Sequence, residues 1–241
     1  FEIEQLLEKQ GVNIQKPILG LLTNIIWDAQ IEYKNNIFIN MTDWLIRTIE
    51  YLSTRNEIEV VVRCHPGEVY SDRVSKQTVK ETILKKFINL PSNLKIINAD
   101  SKISTYSFAD YCNTSVIYSS KMGIELVPFG NRVICAGESY IRNKGITFDP
   151  VDLNEYYFLL DKFPNIEKLS KEKIERAKKY AYHYFFRRAF QVNSLDANNY
   201  NSWPPYKVSD HAFDSLLNNR DKGLKCLSDS ILLNKKFIVD I

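Results

Sequence analysis

Apolar positions along the chain fall into two patterns, continuous runs of strand length and stretches in which they recur every three or four residues. Residues 1–9 make a short polar-apolar lead-in, read as a helix closed by Gly11. Pro17 opens a continuous apolar run from Ile18 to Ile26, the mark of a strand buried on both faces. From Thr42 to Arg55 the positions Trp44, Leu45, Thr48, Ile49 and Leu52 keep helical spacing. The β-branched run Ile58–Arg63 stops abruptly at His65-Pro66-Gly67. The pattern then predicts a helix over 76–88, a strand over Leu94–Ile97 and a short helix over Ser104–Cys112 with Ser104 as its cap. A strand at Ser115–Tyr118, a helix at Lys121–Phe129 and a strand at Arg132–Ala136 follow.

Strands that are apolar throughout, each followed by a helix over short links, predict an α/β fold. Its core is a doubly wound, parallel, Rossmann-like sheet covered by helices, with right-handed crossovers. Beyond residue 150 the pattern turns helical, at about 152–163, at about 170–190 and after 208. The stretch Asn193–Lys207, with Trp203-Pro204-Pro205, reads as a linker. Two parts are therefore expected, a Rossmann-like domain over 1–165 and a helical C-terminal extension over 166–241.

Composition narrows the classes. In 241 residues, 44% hydrophobic and 25% charged describe an ordinary globular protein, and a net charge of +3 tolerates an anionic ligand. No dense basic stripe argues for nucleic acid. The four cysteines, Cys64, Cys112, Cys135 and Cys226, are widely spaced, without CxxC or metal-ligand spacing, which suits a reducing, cytoplasmic setting. No apolar run has the length of a membrane span, and no signal peptide is visible. A chain that begins at Phe1 reads as a piece of a longer protein.

In a doubly wound sheet, ligands sit beyond the carboxyl ends of the strands, so the residues after each run are the informative ones. These are Asn24, with Trp27 and Asp28 slightly later, then Arg63, His65, Pro66, Gly67 and Glu68. Ser119, Ser120, Lys121, Gly123 and Glu125 follow the fourth strand, and Gly137, Glu138 and Tyr140 the fifth. Ser119-Ser120 feeds a helix whose N–H groups suit a phosphate, and Glu125 is placed to accept from ribose hydroxyls. The same segment also reads as a plain serine cap with an acidic first turn. His65, presented by Pro66, can donate to a phosphate or base, and Arg63 can neutralise charge. His65 and Glu68 lack a third partner at metal-ligand spacing, so no metal is expected. Arg142 and Lys144 lie after the fifth strand, where a solvated loop is the first reading of their charge.

Arg63-x-His65-Pro66-x-Glu68, followed by Tyr118-Ser119-Ser120-x-x-Gly123-x-Glu125, resembles the capsule polysaccharide biosynthesis family related to Kdo transferases. The opening Leu22-Thr23-Asn24-x-x-Trp27-Asp28 is similar to the start of the C-terminal domain of these bacterial GT-B glycosyltransferases, and the match covers residues 17–150. The resemblance implies the donor-binding half of a metal-independent glycosyltransferase that uses a CMP- or CDP-activated sugar in surface polysaccharide synthesis. Asn24, Arg63, His65, Pro66, Glu68, Ser119, Ser120, Gly123 and Glu125 would be its nucleotide and donor ligands, with Glu125 on the ribose.

The acceptor, a saccharide or a lipid-linked one, would bind an N-terminal domain outside this chain, where many members keep the catalytic group. No catalytic residue is assigned, and Asp28 is a candidate by position only. CDP-glycerol phosphotransferases carry a similar pairing of motifs. A sugar-nucleotide epimerase domain and a nonenzymatic scaffold module are the other readings. The basic-aromatic stretch Lys171–Phe190 is expected to pack on the partner domain, with peripheral contact at the inner membrane face as its second reading.

Overall fold

A computed structural model of the chain describes residues 2–27, 37–70, 74–189, 191–198, 204–212, 214 and 221–239. Its internal contacts divide it into two units, Phe1–Lys178 and Lys179–Ile241. Asp28 and Trp203, both singled out from the sequence, lie outside the described residues.

Five parallel strands make the centre of the first unit: β1 (Ile18–Leu22), β2 (Glu59–Arg63), β3 (Leu94–Ile97), β4 (Thr114–Ile117) and β5 (Val133–Cys135). Their order is β3-β2-β1-β4-β5. The chain runs outward from β1 to β3, then returns to the other side of β1 for β4 and β5. That reversal is the topological switch point of a doubly wound sheet, and it lies between β1 and β4. The α/β, Rossmann-like architecture expected from the apolar runs is the one observed. Every residue of β1, β2, β4 and β5 is buried, so each large apolar side chain there contributes about 1.5–3 kcal/mol.

α1 (Glu2–Lys9) precedes β1, and between the strands run α2 (Met41–Leu52), α3 (Gly67–Tyr70), α4 (Val79–Lys86), α5 (Thr105–Tyr111) and α6 (Met122–Leu126). After β5 come α7 (Leu153–Lys162) and α8 (Lys171–Tyr182). Local chemistry starts these helices where it should. Asn40 caps α2, Thr78 and Glu81 form a capping box on α4, and Asp152 caps α7. One buried network fastens α2 to α7. Trp44 Nε1 donates to Tyr156 Oη at 2.9 Å, and the Thr48 and Tyr156 hydroxyls pair at 2.7 Å.

Register brings the strand ends level. Leu22 pairs with Arg63 and Ile117, Arg63 with Ile97, and Ile117 with Cys135. The predicted first strand is therefore too long, because β1 stops at Leu22 where both neighbours stop and pairing ends. Ser104 stands at the start of α5 but makes no capping side-chain bond. The predicted helix over 170–190 stops at Tyr182 and continues as a π-turn, His183–Arg187.

The stretch read as a linker corrects the sequence reading in the second unit. It holds β6 (Leu195–Ala197) and β7 (Tyr206–Val208), paired antiparallel, with α9 (Lys222–Leu232) beyond. Runs of three residues are too short for a periodic signal, and their pairing is a non-local event. Asp221 organises this unit. Its carboxylate accepts from Leu224 N at 3.0 Å, capping α9, and from Ser194 N and Oγ at 2.7 Å each. Burial alone would raise its pKa, but these donors outweigh burial and hold the carboxyl below its ordinary value.

A folded pKa below the unfolded one gives stability that is present above the unfolded value and lost as pH falls through the folded one. Asp221→Ala should therefore weaken the hydrogen-exchange protection of the α9 amides by about 1–2 kcal/mol at neutral pH. The gap to wild type should close as pH drops below about 4. A gap independent of pH would show that the carboxylate's charge contributes nothing.

Candidate functional site

The level strand ends put Thr23, Cys64, Asn98, Tyr118 and Ala136 in one row at the carboxyl edge of the sheet, each following its strand. Thr23 closes the gap between two of them, since its N–H and its hydroxyl both donate to Arg63 O, at 3.2 and 3.1 Å. Above this row lies a cleft of roughly 410 Å³. Leu22 and Thr23 line it from β1, Arg63 to Pro66 from β2, residues 101–106 from the segment after β3, and Met122 from α6.

Two residues at the end of β2 have distinct roles. His65 Nδ1 accepts from Gly67 N at 3.0 Å, so the proton of the neutral imidazole sits on Nε2. Pro66, with its fixed φ, holds the turn that makes this contact possible. Arg63 lines the cleft from beneath and is only 3% exposed. Its guanidinium donates to Cys64 O at 2.9 Å, Asn98 O at 2.6 Å and Ile103 O at 3.1 Å. Burial lowers its pKa from the ordinary arginine value.

The other residues singled out from the sequence separate into two sets. Asn24 follows β1 and Ser119 follows β4, the two strands that flank the switch point. Both are more than nine-tenths buried, and neither Asn24 Oδ1 nor Ser119 Oγ has a hydrogen-bond partner among the described residues. Ser120 Oγ accepts from Met122 N at 3.2 Å. Tyr118 Oη is likewise unpartnered, and burial pushes the phenol up to about 12.

The second set is engaged in the fold itself. Glu68 is 1% exposed and accepts from Val79 N at 2.8 Å, and burial raises its carboxyl above the usual range while that N–H offsets part of the rise. Gly123 is packing: a Cβ there would stand 2.7 Å from Ile141 Cδ1 and 2.9 Å from Ile117 Cδ1. Glu125 accepts from Tyr106 Oη at 2.9 Å and so borders the cleft through a residue that lines it. Beyond β5, Arg142 is buried and donates to the carbonyls of Cys135, Gly137 and Pro150.

Sequence reasoning missed the segment after β3. Ser101, Lys102, Ser104 and Tyr106 line the cleft, yet no motif marks them. Applying the strand-end rule to β3, as to the other strands, was the one available signal. With that segment included, the lining holds two cations, Arg63 and Lys102, one imidazole and several hydroxyls. Among the described residues the lining contains no carboxylate. No group of three or more His, Cys, Asp or Glu among the described residues could hold a metal ion. Nor is any helix among them long and apolar enough to cross a membrane.

Fold and edge together define a doubly wound α/β unit with a cleft at the carboxyl ends of its strands, lined in part by Arg63 and Lys102. No protein-family model matches the chain, nor does the sequence of any curated protein. Among solved structures it is similar to the β-Kdo 2,4-transferase of Thermosulfurimonas dismutans KpsC, at 14% identity and a TM-score of 0.43, covering 73% of this chain and 52% of that one. The β-Kdo 2,7-transferase of the same KpsC matches at 15% identity and a TM-score of 0.40, over 91% and 62% of the two chains. A proposed UDP-N-acetylglucosamine 2-epimerase from Listeria monocytogenes matches at 13% and 0.46, over 98% and 50%. The chain thus spans between half and about three fifths of the length of these three structures.

Proposed function

We propose that the first unit is the donor-binding half of a glycosyltransferase, taking a cytidine-nucleotide-activated sugar of the CMP- or CDP-linked kind. The observation that carries this reading is the cleft itself. It sits at the carboxyl ends of a doubly wound sheet, and its lining holds two cations, an imidazole and hydroxyls without a carboxylate. Such groups meet the negative charge that builds on a departing nucleotide phosphate, which is where electrostatic catalysis of transfer acts, and the reading needs no divalent metal. The resemblance of the His65-Pro66 and Ser119-Ser120 motifs narrows the nucleotide to cytidine. Asn24 and Ser119, which follow the strands that flank the switch point and have buried oxygens unpartnered among the described residues, are the groups this reading assigns to the nucleoside or its phosphate. The acceptor, a saccharide or lipid-linked one, belongs to a domain outside this chain.

Calorimetric titration with CMP, CDP, UDP, GDP and ADP, with and without magnesium, tests the reading. Selective binding of CMP or CDP, unchanged by magnesium, is the expected result. His65→Ala should weaken it about tenfold or more, the value of one charge-assisted hydrogen bond, with little change in melting temperature. A preference for UDP would keep a donor site but overturn the cytidine assignment. Wild-type affinity in His65→Ala with a lowered melting temperature would reassign His65 to the fold. Binding of none of the five would overturn the donor-site reading of this chain.

A further inference from the structure

We propose that the segment Asn98–Ser104 is the phosphate subsite of the cleft, with Lys102 as its cation and Arg63 as the positioning residue behind it. The inference deepens the donor-site reading and rests on it. Sequence alone made Arg63 the natural anion partner, but its terminal nitrogens already donate to three carbonyls. Two of those carbonyls, Asn98 O and Ile103 O, bracket the segment that carries Lys102. The guanidinium therefore ties the loop after β3 to the end of β2, and its buried charge adds a positive potential from beneath.

Lys102 is exposed, lines the cleft, and has no hydrogen-bond or ion-pair partner among the described residues. Ser104 is exposed as well, and its hydroxyl caps nothing. Asp100, the one acid on this loop, is not part of the cleft lining. An uncommitted ammonium and an uncommitted hydroxyl two residues apart, on a loop held by a buried arginine, make a site for a phosphate or diphosphate. An ammonium recognises such a group as a point charge, which does not demand the fork geometry that Arg63 has given to carbonyls.

The test titrates CDP and inorganic pyrophosphate into the full chain as wild type, Lys102→Ala, Lys102→Arg, Arg63→Lys and the Arg63→Lys/Lys102→Ala double variant. Lys102→Ala should weaken both ligands about tenfold and flatten the salt dependence of binding, while Lys102→Arg should stay within about threefold. Because Arg63 acts through the loop, Lys102→Ala should cost far less in the Arg63→Lys background than alone. Purely additive losses would instead make Arg63 an independent ligand. Wild-type affinity in Lys102→Ala would overturn the subsite. Binding of pyrophosphate without CDP would keep the subsite and overturn the nucleotide reading. Binding of neither would overturn both.

Discussion

Trp44→Ala should lower the stability of the first unit by about 3–5 kcal/mol, a large part of the 5–15 kcal/mol that holds a typical domain together. Its ring is fully buried, stacks on Tyr118 with centroids 5.8 Å apart, and donates to Tyr156. Removing it leaves a cavity between α2, α7 and the end of β4, and leaves the Tyr156 hydroxyl without one partner. Tyr156→Phe separates these two effects. It keeps the packing but strands Trp44 Nε1 and takes one of two partners from the Thr48 hydroxyl, which still donates to Trp44 O, and should cost about 1–3 kcal/mol. Urea denaturation followed by far-ultraviolet circular dichroism measures both. A loss below about 1 kcal/mol in Trp44→Ala would mean that α2 is docked by something other than this ring. Since Tyr118 directly precedes Ser119, the same packing is also what holds the switch-point residues in place.

The second large effect is expected of Gly137→Ala. Gly137 N donates to Tyr118 O at 2.7 Å, clipping the end of β5 to the end of β4. A Cβ at this position would lie 2.6 Å from that same carbonyl oxygen and 2.8 Å from the Tyr118 ring. The obstacle is backbone, so relief requires the two strand ends to part, at about 1–3 kcal/mol. Ser119 and Ser120 ride on the displaced segment. Denaturation should thus show lowered stability, and calorimetry should show weakened binding of whichever nucleotide the wild type takes. Stability and affinity both equal to wild type would show that the strand ends are not clipped at this point.

The two variants probe different depths of one arrangement. Trp44 supports the switch point through the core, whereas Gly137 holds it at the edge. In the donor reading both act on the ligand through Tyr118, although neither residue lines the cleft.

Local pattern alone was enough to find the five strands, since a strand buried on both faces is mostly apolar, as Ile18–Leu22 is throughout and Glu59–Arg63 is at its three central positions. The β-α alternation then leaves parallel pairing as the way to connect such strands over short links. Even the position of the ligand edge was legible, because it follows from strand direction, and His65-Pro66 sits on it whatever the strand order. What each side chain does there was decided elsewhere. Arg63, Glu68 and Glu125 all follow the expected edge in sequence, but Arg63 meets the carbonyls of Asn98 and Ile103, Glu68 meets Val79 N, and Glu125 meets the Tyr106 hydroxyl. Those partners come from other elements, brought close only when the sheet assembles in the order β3-β2-β1-β4-β5. The same holds for Lys102, ordinary in sequence and placed on the cleft only by the strand register, and for β6 and β7, whose three-residue runs acquire meaning only as a pair. Hydrophobic periodicity is a property of neighbours along the chain and can be read from it. The employment of a polar group is settled by whichever donor or acceptor the tertiary structure carries to it, and that is not written in its neighbours.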